Sequence, residues 1–427
     1  MPLGCPASVF SSAAGRARFF PRPGWALSAL LAAALAACGG SDGGDAPAPT
    51  PTPPPAPSTP PASPLPTPQP AEWPLPQVTG GQAALLAGSL QSDTKAACGR
   101  VDAADPLQSR FGTITHAMIV GADGTVYLTD RACWDDRDKV PDVVRKIAPD
   151  GQVSTVATGA FEERSGRLQS FIRPAGLALG ADGALYVSDA SRYGGVDQNG
   201  SCPGATSFTG PLPPSPGFSG GVWRVLAGGA PQALAGVVRR GCVRALEEDD
   251  GTGADASFCS PGALAFDAQG RLNVIDHHRS TSGQTALRVL EPVSGAAAED
   301  AAVRVRSRVR GDYGPHMVSD RNGRIYLADK GCGASPGQLI AADDLSVAAT
   351  QVPNTTLLAI DSRGRVYSAS SEARREGRMS VIYRSERMGG EFVPVATGVP
   401  ELHALAVGPD DALYLKAAHA VIRIRFD

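Results

Sequence analysis

The sequence predicts an all-β fold made of repeated small sheets, and three observations lead to that class. The first is a hairpin pattern, best seen at Arg173–Asp189, in which an apolar run, an Asp-Gly turn and an alternating strand ending on Asp follow one another. Such turns between apolar strands are the strongest short-range hairpin signal. The second is that the pattern occurs six times, with turns near residues 123, 182, 269, 322, 363 and 410. The third is a composition of 50 Gly and 37 Pro with 6% aromatic residues, which suits short strands joined by turns. A unit repeated at this spacing indicates a propeller or another array of sheets.

The two ends of the repeat region predict how the array closes. Gly80–Gly88 is a lone strand that matches Gly228–Gly236, the fourth strand of a later unit. The chain ends in Val421–Asp427, a third strand with no fourth strand after it. An N-terminal strand that completes the last sheet removes two exposed sheet edges. We therefore predict a six-bladed β-propeller over residues 77–427, closed by an N-terminal strand in the last blade.

The N-terminus has the pattern of an export signal. Residues 1–24 carry three arginines, and the apolar run Trp25–Ala37 is too short to span a bilayer as a helix. The end of this run, Leu35–Cys38, resembles the bacterial lipobox. The resemblance implies that residues 1–37 are a lipoprotein signal peptide and that Cys38 is lipidated. An ordinary signal peptide followed by an incidental Cys is the alternative.

The resemblance to lipoproteins also implies a place in the bacterial cell envelope. Gly39 follows the cysteine, and in such lipoproteins a Gly there usually implies the outer membrane, with the protein held through its lipid anchor. Residues 38–76 are rich in Pro, Ala, Ser and Thr, so they are predicted to form a disordered tether between the lipid and the folded part.

The charge balance restricts the class of partner. The chain has 39 Lys and Arg against 42 Asp and Glu, a formal net charge of −3. This mild acidity, without a stripe of Lys and Arg, argues against nucleic acid as a partner. We expect a monomer.

A second signature precedes several of the hairpins. It is clearest at Asp249–Gly262 and degenerate at Gly166–Pro174. Joined to the hairpin, it resembles the NHL repeat family, whose members form six-bladed propellers. The Asp-rich run lacks the terminal Glu of a calcium-binding loop, and the resemblance implies an ordinary connection between blades.

Six cysteines remain beyond Cys5 and Cys38, an even number that suits disulfides in an exported protein. None forms a CxxC pair, which argues against a metal cluster or a redox motif. All six are expected on one face of the propeller. The predicted pairs are Cys242 with Cys259 and Cys98 with Cys133, and Cys202 with Cys332 follows by elimination. Such bridges would either brace a binding surface or only stabilise long loops.

Three histidines fall in the innermost strands, near one mouth of the central channel. His116 and His403 occupy the same register in the first and last blades, and His316 lies one place later in the fourth. Converging imidazoles could hold a divalent metal, Zn²⁺ or another ion such as Ca²⁺. The set resembles the metal-binding histidines of peptidyl-hydroxyglycine amidating lyase, another NHL-type propeller. The offset turns His316 to the other face of its strand unless a bulge intervenes, and hydrogen bonding within the channel is the alternative role.

Other chemically suggestive residues have structural interpretations. The Asp residues at the strand ends recur in too many blades to form one site, and they are expected to accept backbone hydrogen bonds: Asp130, Asp189, Asp276 and Asp329. His277 and His278 are expected to line a loop. Gly217–Gly221 fits G-x-S-x-G but lies in a Pro- and Gly-rich loop, without the strand and helix that a nucleophile elbow needs.

Two functions remain open. The first is a lipid-anchored binding or scaffold module that recognises a protein or a glycan through its loop face, including the insertion at 191–219. The second is a metal-dependent lyase or hydrolase, similar to propeller lactonases, with His116, His316 and His403 as ligands. Whether the protein is an enzyme is undecided, because one fold hosts many activities.

Overall fold

The computed structural model describes twelve stretches of the chain, all of them within the compact unit that spans residues 67–427. They are residues 72–92, 97–112, 114–133, 140–159, 170–190, 220–236, 250–277, 285–293, 303–311, 313–329, 337–369 and 379–427. The predicted signal peptide, the lipidation site Cys38 and the tether up to residue 71 lie outside them, as do the insertion at 191–219 and three predicted disulfide cysteines, Cys202, Cys242 and Cys332. These predictions stay predictions.

The described residues form twenty-six strands and two short 3-10 turns, Pro106–Gln108 and Gly253–Asp255. Before the first hairpin come β1 (Gln77–Val78) and β2 (Gly81–Ser89). Blade 1 contains β3 (Met118–Val120), β4 (Val126–Asp130), β5 (Val143–Ile147) and β6 (Val153–Thr158). Blade 2 contains β7 (Pro174–Leu179), β8 (Leu185–Asp189), β9 (Gly221–Val225) and β10 (Gln232–Ala235).

The remaining four blades follow the same plan. Blade 3 has β11 (Gly251–Thr252), β12 (Pro261–Phe266), β13 (Leu272–His277), β14 (Thr285–Pro292) and β15 (Val303–Gly311). Blade 4 has β16 (Tyr313–Ser319), β17 (Ile325–Asp329), β18 (Gly337–Ala341) and β19 (Val347–Val352). Blade 5 has β20 (Leu357–Ile360), β21 (Val366–Ala369), β22 (Met379–Ser385) and β23 (Val393–Pro400). Blade 6 has β24 (Leu402–Val407), β25 (Leu413–Ala417) and β26 (His419–Phe426).

Each blade contains an antiparallel meander, and the strand that begins its hairpin, which we call the inner strand, faces the axis of the ring. Successive inner strands contact one another in the order β3, β7, β12, β16, β20 and β24, and β24 returns to β3. The predicted six-bladed β-propeller is therefore confirmed. Two strands extend blades beyond four, since β11 pairs with β15 and β1 pairs with β23. The sequence analysis does not anticipate these additions, because two-residue strands leave no periodic signal.

The hydrophobic core is divided among the interfaces between blades. Six clusters of buried residues each combine side chains from two successive blades, including one between blades 6 and 1. A blade packs on both of its faces, so its strands are apolar on both sides rather than on one. No blade buries its apolar surface alone, and the ring folds as one unit.

The N-terminal strand β2 closes the ring, as predicted. It pairs antiparallel with β26 from Gly81 opposite Phe426 to Ser89 opposite His419. The ladder continues to the last residue, whose backbone N–H donates to the Gly80 carbonyl over 3.0 Å. Ala87 of β2 is completely buried in the cluster between blades 6 and 1. This strand therefore completes both a sheet and an interface.

The hairpin turns explain the spacing that the sequence repeats. In five of them a glycine adopts a left-handed backbone, as at Gly183 with φ 75°. In blade 6 Asp411 takes this place with φ 57°. Its carboxylate accepts hydrogen bonds from the Ser362 N–H and Oγ of the preceding blade, at 2.9 and 2.8 Å. Asp and Asn tolerate this conformation better than other residues with a side chain, which is why the sixth copy of the repeat survives without its glycine.

The aspartates at the ends of the second strands act as predicted in the first three blades. Asp130 accepts from the Gly112 N–H over 2.7 Å, Asp189 from the Arg173 N–H over 2.7 Å, and Asp276 from the Ser260 N–H over 2.8 Å. In each case the donor belongs to the connection that enters the same blade. The carboxylate thus fixes the start of the inner strand and the end of the second strand together.

A buried arginine joins this contact in two of the three blades. Arg145 of β5 binds Asp130 over 3.0 Å and lies over the Phe111 ring, 5.0 Å from its centroid. Arg288 of β14 binds Asp276 over 3.3 Å and lies over the Phe258 ring at 4.7 Å. Both ion pairs are fully buried. Charges are retained in such positions when hydrogen bonds satisfy them.

Blade 2 departs from this arrangement. In blades 1 and 3 the buried arginine lies opposite the residue two positions before the aspartate. In blade 2 the equivalent position, opposite Val187, is occupied by Trp223 of β9. Without an arginine from this strand, burial raises the pKa of Asp189 to about 6, opposed by its backbone hydrogen bonds. The neutral form of this carboxyl is therefore more accessible than in an ordinary aspartate.

None of the helical segments in the described part of the chain has the length and apolarity needed to cross a lipid bilayer.

Closure by β2 leads to a stability prediction. Ala87→Asp places a carboxylate among the apolar side chains of the buried interface between blades 6 and 1. We expect the free energy of unfolding to fall by roughly 3 kcal/mol or more, measured by guanidinium titration. Ala84→Asp is the control, because Ala84 is exposed and lies opposite Arg423; it should change stability by less than about 1 kcal/mol. Equal effects of the two substitutions would contradict a closing role for β2.

Candidate functional site

The six inner strands enclose a central cavity of about 420 Å³. Its wall is made of short segments of β3, β7, β12, β16, β20 and β24, and most lining side chains are Ala, Gly, Leu, Ile, Val or Met. Among the described lining residues, only His116 and His316 carry titratable side chains. The lining side chains are therefore mostly apolar, and the titratable groups among them are two imidazoles.

Both imidazoles lie at the same end of the channel. His116 precedes β3, and His316 is the fourth residue of β16, so both belong to the part of the inner strands that follows the connection between blades. The backbone N–H groups of His116 and Ala117 both donate to Thr129 Oγ1, at 2.9 and 3.1 Å. This side chain of β4 fixes the irregular start of the inner strand of blade 1.

A bulge accompanies His316, as its one-residue offset requires. Tyr313 of β16 pairs with Asp329 of β17, and Met317 pairs with Leu327, so four residues of β16 advance the ladder by only two residues of β17. Such an irregularity changes which face a side chain occupies. His316 lines the channel in spite of the offset.

His403 occupies a different environment from the other two predicted ligands. The register between β24 and β25 shifts between Leu402 and Ala404, so His403 is the additional residue of a bulge. It is 3% exposed and does not line the cavity. Its Nδ1 makes no hydrogen bond within the described structure. The inner-strand register alone is therefore not enough to bring His403 into the channel.

The order of the blades separates the three predicted metal ligands. His403 in blade 6 is a neighbour of His116 in blade 1, whereas His316 belongs to blade 4, on the opposite side of a six-membered ring. Ligands of one metal ion must come within about 2 Å of it. Over the described residues, no group of three or more His, Cys, Asp and Glu side chains is placed to hold a metal ion. As placed here, the three histidines do not fit a shared metal.

His403, Lys416 and His419 form a buried group of basic side chains, which we call the closure cluster. Lys416 of β25 is completely buried, and its Nζ donates to the Ala418 carbonyl. Its ammonium also lies 5.8 Å from the centroid of the Phe111 ring, which precedes blade 1. His419 contacts the Phe111 carbonyl through Nδ1 at 3.1 Å. The cluster therefore lies where blades 6 and 1 meet.

Burial controls the protonation of the closure cluster. It lowers the pKa of Lys416 to about 8, while the charges of Asp130 and Glu401 act in the opposite direction. It lowers the pKa of His419 to about 4. The pKa of His403 falls well below its ordinary value, first through burial and then through the charges of Lys416, His419 and His116. Near neutral pH both buried histidines are uncharged, and the neutral form of Lys416 is more accessible than that of an exposed lysine.

Lys416 is a residue that the sequence analysis misses, although a signal for it exists. The fourth position of the second strand holds Thr129, Ser188, Ile275, Ala328 and Ala369 in blades 1 to 5, and all five are buried. Only blade 6 places a charged residue there. A lysine at a position that the repeat otherwise reserves for small or apolar side chains marks a specialised interface.

The histidine end of the channel lies on the side of the ring that carries the three cysteines of the described part, Cys98, Cys133 and Cys259. The predicted Cys98–Cys133 disulfide is present, with the two Cα atoms 6.0 Å apart. It joins the segment before blade 1 to the loop after β4. Cys259 is also disulfide-bonded, and its predicted partner Cys242 lies outside the described residues.

His277 has a structural role in the described structure. It ends β13, is 8% exposed, and its Nδ1 lies 3.0 Å from Thr285 Oγ1 of the neighbouring strand. The same hydroxyl donates to the Tyr313 carbonyl over 2.8 Å. His277 thus lies at the junction of blades 3 and 4, and His278 lies outside the described residues.

Comparisons with known proteins find similarity in fold only. A gluconolactonase from Xanthomonas campestris is 12% identical with a TM-score of 0.48, over 84% of this chain and 96% of that one. A streptogramin B lyase is 8% identical with a TM-score of 0.40, over 74% and 94%. The WD40 β-propeller domain of Doa1 is 11% identical with a TM-score of 0.40, over 74% and 94%.

No family model matches the chain, and no curated protein matches it. The resemblance to the NHL family therefore stays a prediction. At the identities and TM-scores of the solved structures, the comparisons support no statement about activity, and the assignment of a six-bladed propeller rests on the sheet topology and ring order of the chain itself.

The closure cluster leads to a prediction about pH. Because the pKa of Lys416 is about 8 in the folded protein and 10.5 for a free lysine, the unfolded chain binds more protons between these values. This group therefore makes stability rise with pH across that window. Lys416→Met should abolish that rise and stabilise the protein at pH 7 by up to roughly 3 kcal/mol, as measured by guanidinium titration.

The control for this prediction is Lys146→Met in β5, where the lysine is half-buried. This variant should keep the wild-type dependence of stability on pH. If Lys416→Met also keeps the wild-type slope above pH 8, Lys416 is not held with a depressed pKa.

Proposed function

We propose that this protein is a lipid-anchored binding propeller of the bacterial envelope, which recognises a protein or a glycan through its disulfide-bearing loop face. The observation that carries the proposal is that His116 and His316, the titratable side chains among the described lining residues, lie at one end of the central cavity. That end lies on the side of the ring on which Cys98 and Cys133 are joined. A ligand group inserted from this face meets two hydrogen-bonding imidazoles on opposite sides of the mouth.

The wall of the channel suits recognition of a fixed shape. Its lining belongs to strands whose backbones are held by the blade ladders, and its side chains are mainly small and aliphatic. Ligand sites are commonly of this kind, with an apolar wall and a few polar groups that orient the ligand. The proposed anchor at Cys38 and the tether that follows it would hold the protein at the membrane.

The proposal predicts that the two channel histidines contribute to capture of the partner. His116→Ala combined with His316→Ala should lower recovery of the partner from envelope extracts by roughly tenfold or more, since two hydrogen bonds to a desolvated group are lost. Recovery is measured by quantitative mass spectrometry and by glycan analysis. Arg363→Ala is the control, because Arg363 is exposed in a hairpin turn at the opposite end of the inner strands. An unchanged partner set in the double variant would contradict a channel-mouth site.

The alternative function is a metal-dependent lyase or hydrolase. The observation in its favour is that two of the three predicted ligands, His116 and His316, line the same cavity. The observation against it is the placement of His403 in the interface between blades. We derive no reaction step through a metal from this arrangement.

Metal content separates the two functions. We expect the purified mature protein to carry no stoichiometric zinc or calcium by inductively coupled plasma mass spectrometry, because the donor set is split across the ring. His116→Ala and His403→Ala should then leave the metal content unchanged. One equivalent of metal in the wild type that is lost in both variants would overturn the binding proposal in favour of the enzyme.

A further inference from the structure

The outer strand of blade 3 differs in charge from those of the other five blades. β15 carries four arginines in its nine residues, Val303–Gly311. The corresponding strands of the other blades, β2, β6, β10, β19 and β23, contain no charged residue. Their shared composition indicates that the position itself demands no charge. The arginines of β15 therefore call for an explanation other than folding.

The alternation of β15 places these arginines on the surface. Val303, Val305 and Val309 are buried, the first two in the cluster between blades 2 and 3 and the last in the cluster between blades 3 and 4. Arg304, Arg306 and Arg308 are exposed. Arg304 and Arg306 lie about 6.6 Å apart on one face of the strand. Arg308 is the extra residue of a bulge, and the buried valines change faces across it, so Arg308 lies on the opposite face of β15 and the three arginines share only the exposed outer rim of blade 3. We call these three residues the arginine row.

The arginine row has no ion-pair partner among the described residues, although carboxylates lie nearby. Glu291 is the cross-strand neighbour of Arg304, but its ion pair is with Arg271 at 3.6 Å. Asp250 binds Arg288 over 3.0 Å and caps the Ser307 N–H over 3.0 Å. Other groups therefore engage both acids, and the positive charge of the row is directed to solvent.

We propose that Arg304, Arg306 and Arg308 form a docking surface for an anionic phospholipid membrane. Guanidinium groups bind phosphate oxygens with two parallel hydrogen bonds and are weakly hydrated, so a row of them suits a surface of phosphate head groups. Its positive charge is complementary to the negative charge of such a surface. This inference goes beyond the proposed function, since the row lies on an outer strand and not on the channel.

The predicted anchor makes such weak contacts effective. A tether of residues 38–76 spans roughly 35 Å as a flexible coil and roughly 120 Å as fully extended polyproline helix. A tether of either length would allow the propeller to turn β15 toward the membrane to which Cys38 is predicted to be attached. Docking then becomes an intramolecular step with a high effective concentration. Three cations supply the second attachment that a lipid anchor commonly needs.

The test is flotation with vesicles, using the predicted mature chain from Gly39 so that no lipid anchor contributes. Vesicles that contain phosphatidylglycerol should carry the wild-type protein upward, and vesicles of phosphatidylcholine should not. The combined change Arg304→Gln, Arg306→Gln and Arg308→Gln should weaken binding at least about tenfold, because each cation near an anionic surface contributes. Raising NaCl from about 50 mM to about 500 mM should release the wild type.

The matched control removes three exposed arginines elsewhere, Arg321→Gln, Arg363→Gln and Arg387→Gln, with the same change in net charge. It should float as the wild type does. The triple Lys variant of the row should retain most of the binding, which separates charge from loss of fold. Equal flotation of wild type and the Gln row variant, an equal loss in the control, or binding to a soluble polyanion such as heparin but not to vesicles would overturn the proposal.

Discussion

Pairing of the first strand of the propeller with the last is the constraint on which the other features depend. β2 and β26 form a ladder from Gly81 and Phe426 to Ser89 and His419, and this ladder holds blade 6 against blade 1. The interface so created contains Ala87, the closure cluster and the Phe111 segment. An open ring would expose sheet edges, release the buried Lys416 to solvent and leave the channel without a complete wall. Ring closure, the complete channel wall and the burial of Lys416 therefore all depend on the β2–β26 ladder.

The interfaces between blades share a design but differ in the group at their centre. Blades 1 and 3 use a buried Arg–Asp pair packed on a phenylalanine, and blade 2 replaces the arginine with Trp223. At the junction of blades 6 and 1, Lys416 adds a cation that interacts with Asp130 of the first pair. Burial accordingly shifts the pKa of Asp189 in blade 2 and of Lys416 at the junction of blades 6 and 1, although the backbones repeat.

Much of the fold was accessible from the sequence, and much of the site was not. The six hairpins, the match between Gly80–Gly88 and Gly228–Gly236, and the hydrogen-bonding role of Asp130, Asp189 and Asp276 all follow from local patterns. The environment of His403 depends on a bulge, and the distance between His116 and His316 depends on ring order, neither of which has a local signature. Lys416 and the arginine row do leave a trace, but only when equivalent strands are compared position by position. The mild net acidity of the whole chain conceals the arginine row, because the sum of charges does not show where they lie.

The β2–β26 ladder also sets the order in which the domain can be completed. Synthesis delivers the N-terminal end first, so β2 is made when its partner strand is still some 340 residues behind it. A contact of such long range is costly to close and forms late. Until Phe426 emerges, the first blade lacks a neighbour and two strand edges stay open to other chains. A nonsense mutation that removes only the last ten residues should therefore be as damaging as the loss of an entire blade.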